Sequence, residues 1–140
     1  MIVLDTDVLS AVMRLEKEPS VFTWLNSCAR EELHLNAISF FEVRSGIEKL
    51  DPGHKRNDLD AAVSRAIMAF GRRILPFDET AARAASDLYG VRRRKGVVVG
   101  SADTQIAGIA ISRGAILATG NTRHFSDANI PLINPWKVVA

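Results

Sequence analysis

SADTQIAGIAISRGAILAT, residues 101–119, reads as a helix, a stop and a strand in succession. Ser101 has the side chain of an N-cap, whose oxygen can accept one of the backbone N–H groups left without a partner at a helix start. Residues 106–111 are apolar on every side, the pattern of a helix enclosed by protein. Gly114 supplies the residue type on which helices commonly end. Residues 115–119 then form a run that suits an interior strand. A buried helix leading straight into a buried strand is the unit from which helix-flanked parallel sheets are built.

Working outward, the same alternation recurs. Residues 2–5 read as a strand, and a helix follows from Thr6 to Leu15 on the spacing of Val8, Leu9, Val12 and Met13. A second helix spans Ser20 to Cys28 and carries Phe22, Trp24 and Leu25. LHLNA at 33–37 alternates like a strand, and Ser39 opens a helix with the stripe Phe40, Val43, Ile47 and Leu50. Residues 51–58 are a loop, a helix covers 58–71, and Ile74-Leu75 is a short apolar run. Asp78 suits an N-cap for a helix reaching Lys95, and 130–134 gives the last strand. The expectation is an α/β fold with a central, mostly parallel sheet flanked by helices, formed as one domain over 1–140 without repeat or linker.

Lys and Arg number 18 against 16 Asp and Glu, for a net charge of +2 and a pI near 9.0. That excess permits an anionic partner without requiring one. Cys28 is the single cysteine, which excludes an intrachain disulfide. The N-terminus has no basic leader segment, and no apolar run nears the ~18 residues of a membrane span, so a cytoplasmic protein without membrane contact is expected.

In such sheets ligands bind beyond the carboxyl ends of the strands. Asp5 lies at one such end, and Thr119, Gly120 and Asn121 follow another. Glu42 and Asp103 each fall in the first turn of a helix. Each acid has a structural explanation of its own: Ser39 to Glu42 matches a capping box, and Asp103 can answer its helix dipole. Asp5 is harder to explain away, because a charge just off a core strand needs compensation. Carboxylates gathered on one rim repel unless a cation sits among them, and oxygen donors without Cys or His spacing suit Mg²⁺ or Mn²⁺ better than Zn²⁺.

IVLDTDVLS, SFFEVRSGI, ILPFDETAA, SADTQIAGIAISRGAILAT, TGNTRHF and the final NPW, taken in order, resemble a PIN-domain ribonuclease of the VapC toxin type, over nearly the whole chain. The resemblance implies a Mg²⁺-dependent endoribonuclease in which Asp5, Glu42 and Asp103 bind metal and carry catalysis, held in check by a VapB-type antitoxin, and a homodimer. It also implies RNA as substrate, cut to leave 5′-phosphate and 3′-hydroxyl ends. Where the family commonly has a fourth acid this chain has Asn121, which leaves Thr119 and Asn121 as supporting residues and a second metal in question. Asp7, where the family often has Asn, is expected to orient Asp5 or cap the first helix. The resemblance also implies that the helix carrying Phe22 and Trp24, with Phe40 and Phe41, contributes a groove for the antitoxin, whereas the sequence alone reads most of these residues as core.

Arg92, Arg93, Arg94, Lys95 and Arg123 are candidate RNA contacts, although the run 92–95 reads equally as a solvated helix end. His34, His54 and His124 have no metal spacing, and His124 reads as a surface residue. Two other classes stay open. A haloacid-dehalogenase-like phosphatase shares the D-x-D start and the strand ending in Thr, but only Lys137 and Asp127 remain for its later motifs. A catalytically weak RNA-binding module would use the acids as caps alone.

Overall fold

The structure, a computed structural model, describes residues 1–138; the last two positions of the range expected to form the domain lie outside the described residues. Five short strands, β1 (Ile2–Leu4), β2 (Leu33–Asn36), β3 (Ile74–Leu75), β4 (Ile116–Ala118) and β5 (Leu132–Ile133), form one sheet in the order β3-β2-β1-β4-β5. All four pairings are parallel. The helices are α1 (Thr6–Val12), α2 (Pro19–Ser27), α3 (Ala37–Glu48), α4 (His54–Ala69), α5 (Glu79–Lys95) and α6 (Ser101–Arg113).

Successive strand side chains point to opposite faces, and both faces here are apolar. Val3 and Leu117 pack with Leu88, Ile106, Ile109 and Phe125 on one side. Leu4, Leu35 and Ala118 pack with Val8, Leu9, Trp24 and Phe70 on the other. The chain runs from β1 outward to β2 and β3, then returns to add β4 on the opposite flank of β1. The strand order therefore switches between β1 and β4, which is where a doubly wound sheet opens a crevice.

Helix α6 is the buried helix anticipated from 106–111: residues 106–110 are enclosed, while Ile111 is 39% exposed. Gly108 makes its contact with α5 possible, since a Cβ there would lie 2.5 Å from the Ala81 carbonyl oxygen and 2.6 Å from the Ala85 Cβ.

Several boundaries differ from expectation for identifiable reasons. Asp5 lies outside β1 and caps α1, taking the Thr6 N–H on its Oδ1 at 2.8 Å. Helix α3 starts at Ala37, because Asn36 is the cap and its Oδ1 accepts the Ser39 N–H at 2.8 Å. The capping box expected at Ser39 to Glu42 is therefore not formed. Helix α4 starts at His54, inside the expected loop, directly after Gly53 at φ 155°. Gly100, not Ser101, is the N-cap residue of α6. Helix α1 ends at Val12, and Leu15–Lys17 is a separate 3₁₀ turn.

Candidate active site

Leu4 pairs with Ala118 across β1 and β4, so the next residues, Asp5 and Thr119, leave the sheet side by side. The Asp5 N–H donates to the Ala118 carbonyl at 3.0 Å, extending the ladder by one bond. Thr119 Oγ1 donates to Asp5 Oδ2 at 2.7 Å, while Asp5 Oδ1 holds the Thr6 N–H. Both oxygens are thus fixed, and Asp5 is only 2% exposed. Burial pushes its pKa up to about 7, partly offset by the Thr119 hydroxyl and reinforced by the charges of Asp7 and Asp103.

Asp7, in the first turn of α1, accepts the Gly120 N–H on Oδ2 at 2.8 Å. Its Oδ1 is buried and has no hydrogen-bond partner. Desolvation raises its pKa, the Gly120 N–H opposes that rise, and Asp103 adds to it. Gly120 is required by space: a Cβ would lie 2.9 Å from Asp7 Oδ2 and 3.0 Å from the Trp136 ring. Asn121 is exposed, and its N–H donates to Thr119 Oγ1 at 3.0 Å.

Glu42 reaches the same rim from α3. Its Oε1 lies 2.6 Å from the Thr6 hydroxyl, which is 2.9 Å from Ser39 Oγ, itself 2.9 Å from Asn36 Nδ2. Each hydroxyl has one proton, so the arrangement satisfied throughout runs from the Asn36 amide through Ser39 and Thr6 to the Glu42 carboxylate. Asn36 also donates to the Leu4 carbonyl at 2.8 Å, tying this chain to β1. Neither Thr6 nor Asn36 was singled out from sequence, although a polar residue closing an apolar strand was the available signal.

Asp103 sits in the first turn of α6, and His124 Nδ1 lies 2.8 Å from its Oδ2. His124 is half-exposed as expected, yet it engages a rim acid rather than solvent alone. Arg92 explains its position and corrects its own assignment. It is 3% exposed, so it is not an open phosphate contact. Its guanidinium donates to both Asp127 carboxylate oxygens at 2.8 and 2.9 Å, to Thr104 Oγ1 at 2.9 Å and to the His124 carbonyl at 2.7 Å. It clamps the start of α6 to the turn carrying His124, and it holds the Asp127 pKa down. Arg93, Arg94, Lys95 and Arg123 are exposed. Trp24 is core, whereas Phe22 and Phe41 are 50% and 68% exposed.

As placed, no three His, Cys, Asp or Glu side chains among the described residues are spaced to enclose a metal ion. The donor chemistry nevertheless fits a hard divalent cation: Asp5 is a buried acid whose pKa is raised further by the charges of Asp7 and Asp103, and the buried Asp7 Oδ1 has nothing to bind.

Fold and rim together define a doubly wound parallel α/β domain with a carboxylate site at its switch point. A family model described as PIN domain matches residues 2–130. The chain is 36% identical over 138 residues to "VapC ribonuclease Y4jK" of Sinorhizobium fredii, covering 98% of this chain and 99% of that protein. It is 35% identical to "Toxin FitB" of Neisseria gonorrhoeae over 97% of this chain and 99% of that protein. The solved "FitAcB from Neisseria gonorrhoeae" is similar with a TM-score of 0.87 and 34% identity, over 99% of this chain and 100% of that one. The chain belongs to the PIN-domain family, in its VapC-type group.

Proposed function

We propose that this chain is the endoribonuclease toxin of a toxin–antitoxin pair, hydrolysing RNA phosphodiester bonds at the rim formed by Asp5, Glu42 and Asp103. The observation that carries the site is Asp5: a buried carboxyl, fixed by two hydrogen bonds at the β1–β4 switch point, in the field of two further acids. A protein tolerates that arrangement at a cost in stability, which a bound cation offsets. The family relationship supports nuclease chemistry dependent on a divalent metal. The oxygen-only donor set supports Mg²⁺, with Mn²⁺ as the next best fit.

Asp5 and Asp103 would hold the metal, with Glu42 binding it directly or through water and Asp7 facing the same space. When bound there, the cation supplies positive charge against the phosphate and lowers the pKa of a coordinated water. Thr119 and the Thr6 N–H keep the Asp5 oxygens oriented. Glu42 and Asp103, held in the free chain by the Thr6 hydroxyl and by His124, would be the acids free to turn toward the cation. Asp127, which the phosphatase alternative needs for its later acidic motif, is instead taken up by the Arg92 guanidinium, which disfavours that alternative.

A cognate antitoxin follows from the relatives, among them "FitAcB" and "DNA bound VapBC from Salmonella typhimurium". No helix among the described residues is long and apolar enough to cross a membrane, in keeping with a cytoplasmic toxin. The reading includes a homodimer, which sedimentation of the purified chain tests. The decisive assay incubates the antitoxin-free chain with cellular RNA, with Mg²⁺ or with chelator. Cleavage only with metal, lost in Asp5→Asn and Asp103→Asn, is expected. Undiminished cleavage in both variants overturns the site, and metal-independent RNA binding without cleavage favours the binding module.

A further inference from the structure

Beside the acidic rim an open cleft of about 610 Å³ is lined by Asp7, Arg14, Asn121, Asn134, Trp136 and Lys137. It shares Asp7 with the rim, so whatever occupies it lies next to the reacting bond. Its wall is organised in advance. Glu18 Oε2 accepts the Trp136 indole N–H at 2.8 Å, and its other oxygen pairs with Arg14 at 3.3 Å. One carboxylate thereby fixes an aromatic ring and a guanidinium together. Gly120 lets the ring edge approach Asp7, as a Cβ there would collide with both. Asn134 Oδ1 accepts the Trp136 backbone N–H at 3.0 Å, leaving its amide N–H groups available to a ligand.

A ring, two side-chain amides and two cations in a space of this size match one nucleotide. Single-stranded RNA is bound by stacking bases on aromatic rings, reading base edges with polar side chains and contacting phosphates with Arg or Lys. We propose that this cleft is the subsite for the nucleotide adjacent to the scissile phosphate of single-stranded RNA, with Trp136 taking the base, Asn121 and Asn134 its edge, and Arg14 and Lys137 its phosphate. The inference rests on the ribonuclease reading and adds to it a place where base preference is set. It also gives Trp136, whose ring packs in part against the core, a second role on its cleft side.

The test uses the full chain with Trp24→Phe, which leaves Trp136 as its one tryptophan. In chelator, so that no cleavage occurs, its emission is titrated with the four nucleoside 5′-monophosphates and with ribose 5-phosphate as a control without a base. The nucleotides should quench saturably at millimolar concentration, with an order of preference among them, and the control should not quench. Lys137→Ala, at an exposed position, should weaken nucleotide binding several-fold. For an RNA oligonucleotide, Trp136→Ala should weaken binding roughly 5- to 150-fold, the ratio for one lost stacked base, while Trp136→Phe retains most of it. If Trp24→Phe does not fold, the indole N–H resonance of Trp136 in the unsubstituted chain gives the same reading. No response to any nucleotide overturns the subsite, and ribose 5-phosphate competing equally with the nucleotides overturns the base contact. Because cleavage plays no part, quenching by an inactive chain keeps the subsite and removes the ribonuclease reading, and the converse result does the reverse.

Discussion

Asp5 joins stability to function at the scale of one residue. Its carboxyl titrates near 3.8 when free and near 7 in the folded chain, so between those values the folded state holds the proton more tightly. The stability this contributes is complete below 3.8 and is lost as the pH rises through about 7. Thermal melts in chelator should therefore show the melting temperature falling across that window, and Asp5→Asn should flatten the dependence and melt higher above it. Identical curves for the two proteins would show that the buried acid is not the source. Asn121→Asp, which puts a carboxylate at the position where the family commonly has a fourth acid, should tighten Mg²⁺ or Mn²⁺ binding and lower the stability of the metal-free chain by repulsion with Asp7 and Asp5. Calorimetric titration with unchanged affinity would place Asn121 outside the metal site.

Two elements, α5 and α6, decide where Asp103 stands. Their contact depends on Gly108, and alanine there has opposite effects on the two links. Ala favours the helix by ~1 kcal/mol, but overpacking against the Ala81 carbonyl costs ~1–3 kcal/mol. Backbone atoms cannot give way as a flexible side chain can, so Gly108→Ala is expected to destabilise, as denaturant melts would register. Arg92 fixes the other end of the same pair. Arg92→Ala strands Asp127 and frees the His124 turn; breaking a buried pair costs ~3–5 kcal/mol, and Asp127, 30% exposed, places the loss at the low end. Cleavage should fall further than stability accounts for, because Thr104 and the His124 carbonyl lose their common anchor. A variant as stable and active as the parent would remove the clamp from the account.

At the scale of the whole molecule the site exists only when β1, β4, α3 and α6 are assembled, because each supplies a part that is far from the others in sequence. A cation that binds the assembled rim and not the unfolded chain must stabilise the fold, by about 2.7 kcal/mol at a hundred times its dissociation constant. Added Mg²⁺ should raise the melting temperature of the unsubstituted chain and leave Asp5→Asn unmoved. An equal rise in both would assign the effect to another site.

The amino-acid sequence by itself determined the alternation of strands and helices, the enclosure of α6 and the presence of acids at Asp5, Glu42 and Asp103. These are local matters of apolar period, strand ends and residue order. It misplaced the start of α3, because Asn36 and Ser39 compete for one cap and the winner is set by the Leu4 carbonyl on another strand. It read Arg92 with its basic neighbours, because burial against Asp127, thirty-five residues away, leaves no trace in local composition. Tertiary structure alone decided the pairing of Asp103 with His124, the Thr6 bridge to Glu42 and the cleft around Trp136. Each is a meeting of side chains from different elements, and only the folded sheet sets which strand ends are neighbours.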